Sequence, residues 1–88
     1  MKKVLIDFYA DWCNPCKLMN PILDELEKEY PDLEIKKINV DEDSAMVEKY
    51  GVQTIPTYIL EIDGKIEKSV KGAMPKYRFL KEIGLAKD

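Results

Sequence analysis

The sequence predicts an α/β fold with the element order β-α-β-α-β-β-α, in which a four-stranded mixed sheet is flanked by three helices. Apolar runs rich in β-branched and aromatic residues alternate with segments of helical periodicity. An Asp-Gly pair separates the last two apolar runs and indicates a hairpin. The chain has 88 residues, which suits one domain spanning 1–88.

The first strand and the first helix follow from two contrasting patterns. Residues 3–10 (KVLIDFYA) are nearly continuously apolar, as in a strand covered on both faces, and only Asp7 interrupts them. The segment 17–30 is predicted to be an amphipathic helix with Pro21 inside it, and Pro31 ends it. Its apolar residues recur at helical spacing: Leu18, Ile22, Leu26 and Tyr30.

A second strand and a short helix follow. Residues 33–40 (LEIKKINV) have apolar side chains at both parities, so we expect a strand in the centre of the sheet. Asp43 or Ser44 can cap a helix that runs to Tyr50, and Gly51 closes it.

The remaining elements are a hairpin and a helix. Residues 57–62 (TYILEI) and 65–70 (KIEKSV) predict two strands joined by the two-residue turn Asp63-Gly64. Pro75 opens a last helix, which Gly84 ends. Because helices connect the first three strands, we expect three parallel strands, to which the hairpin adds an antiparallel edge.

Composition excludes several classes of protein. The formal net charge of -3 lacks the basic excess of a nucleic-acid surface. No apolar run is long enough to span a bilayer. Asp7 and Asp11 interrupt the apolar start before it reaches the length of a secretory signal, so a cytoplasmic location is expected, where thiols stay reduced unless they turn over. Histidine, the usual general base, is absent.

Both cysteines lie in WCNPC (12–16), and three uses of such a pair are open. A structural disulfide would close a loop of roughly four residues, for which chain entropy gives only about 1.9 kcal/mol. A zinc site needs about four ligands, which this chain could complete only as a dimer sharing one ion. A reacting pair fits best, because Cys-x-x-Cys in a βαβ setting is a redox signature.

Local geometry explains why the pair would react. If Cys13 is the N-cap of the first helix, its side chain can accept a hydrogen bond from the N–H of the second or third helical residue. The second is Pro15, which has no N–H. The N–H of Cys16 is then aimed at the sulfur of Cys13, at the positive end of the helix, which favours thiolate over thiol. Cys16 lies one turn further in, and we expect it to be less exposed than Cys13.

Several segments in order resemble the thioredoxin family. They are DFYADWCNPCK (7–17), Pro21, KINVD (37–41), YGVQTIPT (50–57) and Gly72. The resemblance implies a minimal thioredoxin fold. Asn14 departs from the glycine usual in the family, and together with Pro15 it is expected to tune the redox potential.

The resemblance also implies a proton acceptor. Asp7, a lone carboxylate in a buried strand, must be paired or protonated. In the family this carboxylate accepts the proton of the second cysteine, here Cys16, with water between them; a structural ion pair is the alternative. Lys37 corresponds to a family lysine near the carboxylate, and it is either a tuning partner of Asp7 or a surface lysine.

Four residues are candidates for substrate binding. The resemblance implies a cis bond before Pro56, which leaves the backbone of Ile55 free to pair with an extended partner. Trp12 lines the substrate surface or only covers the helix start. Gly72 allows a partner chain to approach closely or is an ordinary turn residue.

The predicted function is thiol–disulfide exchange, in which Cys13 attacks a protein disulfide and Cys16 resolves the mixed disulfide. A glutathione-dependent, glutaredoxin-like enzyme and a non-catalytic binding module of the same fold are the alternatives. The expected partners are disulfide-containing proteins and a thioredoxin-reductase-like or glutathione-based reductant. The chain is expected to act as a monomer without a cofactor or metal.

Overall fold

The computed structural model describes residues 1–86, and these residues have the predicted element order β-α-β-α-β-β-α. The strands are β1 (Lys3–Tyr9), β2 (Leu33–Asn39), β3 (Thr57–Ile62) and β4 (Lys65–Lys71). The helices are α1 (Asn14–Glu29), α2 (Ser44–Tyr50) and α3 (Lys76–Glu82).

Within residues 1–86 the sheet has the strand order β2-β1-β3-β4, and β1 and β2 form its only pair of adjacent parallel strands. β3 runs antiparallel to β1, and β4 runs antiparallel to β3. The prediction that the first three strands would be parallel was therefore wrong, because β3 is the strand that runs in the opposite direction to the other three. Tyr9 pairs with Asn39 and Phe8 pairs with Thr57, so β2 ends where β3 begins, at the carboxyl end of β1. The segment between β2 and β3 contains α2, which is about half as long as a seven-residue strand and is ended by Gly51 in a left-handed conformation. It is therefore too short to cross the sheet, and the chain enters β3 at the same end of the sheet at which it left β2.

The position of β2 also differs from the prediction. It was expected to be central, yet within residues 1–86 it lies at the edge of the sheet. Its apolar residues have both parities because both faces of the sheet are covered. Ile35 packs in the cluster that contains α1, and Ile38 packs in the cluster against α2. A strand between two layers of helices has this pattern whether or not it has a neighbour on each side.

Two apolar clusters hold the helices against the sheet. On one face, α1 and α3 bury a large cluster in which Leu5, Leu23 and Phe79 are fully buried. On the other face, α2 covers a smaller cluster built on Ile6 and Phe8. Each fully buried side chain of this size contributes about 1.5–3 kcal/mol of transfer free energy. The first cluster positions α1 so that its amino end meets the carboxyl end of β1.

The predicted cap of α2, the end of α2 and the hairpin turn are confirmed. Asp43 accepts a hydrogen bond from the N–H of Met46 as the N-cap of α2. Gly51 ends that helix at φ 64°. Asp63 and Gly64 form the hairpin turn with φ of 51° and 83°, the positive values that a type I′ turn needs at both central positions.

Candidate active site

The two cysteines lie where β1 gives way to α1. Cys13 is the N-cap of α1, and its Sγ accepts a hydrogen bond of 3.2 Å from the N–H of Cys16. Pro15 occupies the first turn and has no N–H to offer. The predicted cap geometry is therefore confirmed. The two sulfurs are joined as a disulfide, with the Cα atoms 5.3 Å apart.

The two sulfurs face different surroundings, although they are equally covered. Each cysteine is 4% exposed, so the expectation that Cys16 would be less exposed than Cys13 was wrong. The reason is that both cysteines pack with Ala10 in one small apolar cluster at the end of the sheet. Cys13 lines an open groove together with Trp12 and Ile55. Cys16 instead lines a cavity of about 420 Å³ on the other side of the disulfide.

The loop before β3 forms the wall of the groove opposite Cys13. The Ile55–Pro56 peptide bond is cis, as the resemblance implied. The carbonyl of Pro56 accepts a hydrogen bond of 2.9 Å from the N–H of Gly72, which has a φ of 91°. Ile55 is half-buried between two apolar clusters. These contacts hold the loop against the amino end of α1.

Trp12 is a large exposed apolar side chain beside the disulfide. It is 67% exposed, and it lines the groove that contains Cys13 and a second groove formed with Val40, Val52 and Ile55. Its Nε1 donates a hydrogen bond of 2.8 Å to Asp41 Oδ2, which fixes the orientation of the ring. Asp41 was not singled out from the sequence. Its place two residues after the end of β2 was the available clue, because β1 and β2 are parallel and end at the same edge of the sheet.

Asp7 is a buried carboxyl group in the middle of the sheet. It is 3% exposed, and it lines the same cavity as Cys16 and Lys37. Lys37 is its direct neighbour on β2. Burial raises the pKa of Asp7 to about 6, and the charge of Lys37 partly opposes this rise. The carboxyl group therefore titrates near neutral pH, in the range where a proton acceptor works best.

Tyr58 is the direct neighbour of Asp7 on the other side, on β3. It is fully buried, and its ring packs edge-on against Phe79 with the ring centroids 4.8 Å apart. Burial and the nearby charge of Asp7 raise the pKa of its phenol well above the usual value. Tyr58 could not be identified from the sequence, because an aromatic residue in an apolar run indicates core packing and the pairing with Asp7 depends on strand register.

Within residues 1–86, no cluster of three or more His, Cys, Asp or Glu is arranged to hold a metal ion. In the same part of the chain, no helix has both the length and the apolar character needed to cross a membrane.

A mixed sheet that presents a Cys-x-x-Cys disulfide at a helix start, with a buried carboxyl group in the cavity beside the second cysteine, defines a thiol–disulfide oxidoreductase. The thioredoxin family model matches residues 1–84. The chain belongs to the thioredoxin family, and it is a disulfide reductase with a redox-active cysteine pair.

Individual relatives agree with this assignment. The chain is 46% identical over 80 residues to thioredoxin of Chlamydia caviae, covering 91% of this chain and 78% of the relative. Mitochondrial thioredoxin 3 of Saccharomyces cerevisiae, solved in its oxidised form, superimposes with a TM-score of 0.86 at 38% identity, over 94% of this chain and 77% of that one. A structure concerning thiol resolution in yeast mitochondrial 1-Cys peroxiredoxin via glutathione/thioredoxin systems matches with a TM-score of 0.86 at 37% identity, over the same shares of the two chains.

Proposed function

We propose that Cys13 is the nucleophile and Cys16 the resolving thiol in the reduction of protein disulfides. The observation that carries this order is the hydrogen bond from the N–H of Cys16 to Cys13 Sγ at the start of α1. That N–H and the positive end of the helix stabilise a thiolate at Cys13. The groove beside Cys13 gives a partner a route to this sulfur, whereas Cys16 lines the separate cavity that it shares with Asp7.

The reaction then has two balanced steps. The thiolate of Cys13 attacks one sulfur of the partner's disulfide, and the partner's other sulfur leaves as a thiolate that takes a proton from water. Cys16 then gives its proton to a base, and its thiolate attacks Cys13 Sγ. The Cys13–Cys16 disulfide forms, and the second partner thiol is released. Two electrons have passed from the dithiol to the partner.

Asp7 is the proposed base for Cys16. The support is the cavity that both residues line, which offers a path for a proton through water. The pKa of Asp7, raised by burial to about 6, allows the carboxylate to accept and return a proton near neutral pH. Lys37 is the proposed tuning partner, because its charge counters the effect of burial on Asp7.

The partner is proposed to bind across the groove. Trp12 offers an exposed ring next to Cys13, and Thr54 and Ile55 form the facing wall, behind which Pro56 is fully buried. The backbone of Ile55 is proposed to pair with an extended segment of the partner. Gly72, hydrogen-bonded to Pro56, is proposed to let that segment approach closely. Asn14 and Pro15, between the cysteines, are proposed to set the redox potential.

The reductant, the oligomeric state and the compartment of the protein are proposed as follows. The reductant is proposed to be a thioredoxin-reductase-like enzyme or a glutathione-based system, which the similarity to the yeast structure supports. The chain is proposed to act as a one-domain monomer in the cytoplasm. A reducing compartment is required, because the dithiol must be restored after each turnover.

The order of attack is tested by trapping the mixed disulfide. Cys16→Ser cannot resolve the intermediate, so we expect it to accumulate a covalent complex with a disulfide-containing protein. Mass spectrometry without reductant should place the bond at Cys13, and dithiothreitol should release it. Cys13→Ser is the matched control. No complex with Cys16→Ser, or equal trapping by Cys13→Ser, would reject the proposed order.

The binding role of Trp12 is tested by Trp12→Ala. We expect KM for a protein disulfide to rise about tenfold, the loss of about 1.4 kcal/mol that is ordinary for a central interface aromatic. The value of kcat should change less than about twofold, because the ring does not take part in bond exchange. Tyr77→Ala removes a similarly exposed aromatic from α3, away from the groove, and is the control. An equal effect of both variants would argue against a binding surface at Trp12.

A further inference from the structure

Two buried residues that are neighbours in the sheet each have a polar side-chain atom without a hydrogen-bond partner in the described part of the chain. Asp7 and Tyr58 are direct cross-strand neighbours of β1 and β3, so their side chains extend from the same face of the sheet. Asp7 is 3% exposed and Tyr58 is 0% exposed. Within residues 1–86, neither Asp7 Oδ1 nor the Tyr58 hydroxyl has a hydrogen-bond partner.

The hydroxyl of Tyr58 needs an explanation that packing does not supply. Its ring packs edge-on against Phe79, and a phenylalanine would make the same contact. A buried hydroxyl without a partner is costly, and such groups are almost always satisfied by protein atoms or ordered water. The neighbouring carboxylate oxygen has the matching chemistry, because a phenol O–H donates and a carboxylate accepts.

We propose that Tyr58 is a positioning residue for Asp7, and that its O–H donates to Asp7 Oδ1 through one buried water. Such a water needs two to four polar partners, and the two unpartnered atoms provide the first two. The cavity that Asp7 shares with Cys16 provides the route by which water enters. The hydroxyl would hold the carboxylate in one orientation, with its second oxygen directed towards the cavity.

The effect of this hydrogen bond on Asp7 has a definite sign. A donor to a carboxylate favours the ionised form, so it lowers the pKa that burial has raised. Tyr58 thus acts in the same direction as Lys37 of β2, from the opposite side of Asp7. The other ionisable groups that line the cavity around Asp7 in the oxidised chain come from the end of β1, the loop after it and α1: Tyr9, Asp11 and Lys17.

The test is the titration of Asp7 in Tyr58→Phe, which keeps the ring and its packing. Carbon-13 NMR of the Asp7 carboxyl in the oxidised, full-length chain should show the midpoint moving up by about one pH unit, as expected for the loss of a hydrogen bond to a charged group. Tyr77→Phe, at an exposed tyrosine, is the control and should leave the midpoint in place. An Asp7 midpoint that is unchanged or lower in Tyr58→Phe would overturn the proposal.

The kinetic consequence rests on the proposed function of Asp7 as base. If Asp7 accepts the proton of Cys16, the pH profile of the resolving step should move up with the midpoint in Tyr58→Phe. A midpoint that rises while this profile stays in place would support the role of Tyr58 and reject that of Asp7. The two proposals therefore fail separately.

Discussion

Replacing Cys13 with serine is expected to lower the rate of protein-disulfide reduction by at least roughly a thousandfold, to the background set by the external reductant. A hydroxyl at the start of α1 can still accept the N–H of Cys16, so the fold and the cap should survive. The hydroxyl does not ionise near neutral pH and does not exchange with disulfides. The measurement is reduction of a protein disulfide with dithiothreitol as electron source.

A comparison of single-turnover rates shows whether the loss belongs to the attacking step. Cys16→Ser keeps the nucleophile, so its first attack on a protein disulfide should proceed within a few-fold of the native rate. Its multiple-turnover rate should fall, because the mixed disulfide is not resolved. Native-like reduction by Cys13→Ser would refute the assignment of the nucleophile.

Replacing Asp7 with asparagine is expected to change the pH dependence of stability by about 3 kcal/mol. The pKa of Asp7 is raised from 3.8 to about 6 in the folded state, and each unit is worth about 1.36 kcal/mol. The folded chain binds this proton more tightly than the unfolded chain. Ionisation of Asp7 therefore destabilises the fold above about pH 6, and the penalty vanishes below about pH 3.8.

Urea unfolding of the oxidised chain between pH 3 and pH 8 measures this effect. The free energy of unfolding of the native chain relative to Asp7→Asn should fall as the pH rises through 4 to 6. The asparagine amide has its own cost of burial, but that cost does not depend on pH and therefore does not affect the slope of this difference against pH. Asp24→Asn, at an exposed position of α1, is the matched control and should keep the pH dependence of the native chain. If the difference in free energy of unfolding between the native chain and Asp7→Asn stayed constant with pH, the pKa of Asp7 would not be raised in the folded state.

The same variant should slow turnover. Without the carboxylate, Cys16 loses its proton only to solvent, and general bases typically contribute about a hundredfold or more. We expect the resolving step above pH 6 to slow by about that factor, with little change in the attack by Cys13. Stopped-flow measurement of mixed-disulfide decay separates the two steps. Turnover equal to that of the native chain at neutral pH would remove Asp7 from the mechanism.

Features that involve neighbours in the chain could be predicted. The hydrogen bond from the N–H of Cys16 to Cys13 Sγ follows from two local facts: Cys13 is the N-cap three residues before Cys16, and Pro15 between them has no N–H. The Asp63-Gly64 turn follows from the positive φ that only a few residues tolerate. The cis bond before Pro56 is different, because it was implied only by the family resemblance.

Features that depend on contacts between distant segments of the chain could not be predicted from the residue pattern. The direction of β3 was assigned wrongly, because the apolar pattern of a strand is the same in either direction. The pairing of Trp12 with Asp41 joins residues 29 positions apart, and no spacing rule connects them. The neighbours of Asp7 were only half foreseen, since the resemblance suggested Lys37 but nothing suggested Tyr58.

By itself the sequence determined the reacting pair and its local activation, because a helix cap involves atoms within one turn of backbone. Only the tertiary structure decided which sulfur faces the groove and which faces the cavity with Asp7. It also decided that Asp7 lies between a lysine and a buried phenol. The physical reason is that burial and cross-strand neighbours are set by how distant segments pack, and the pKa of a carboxyl group depends on both.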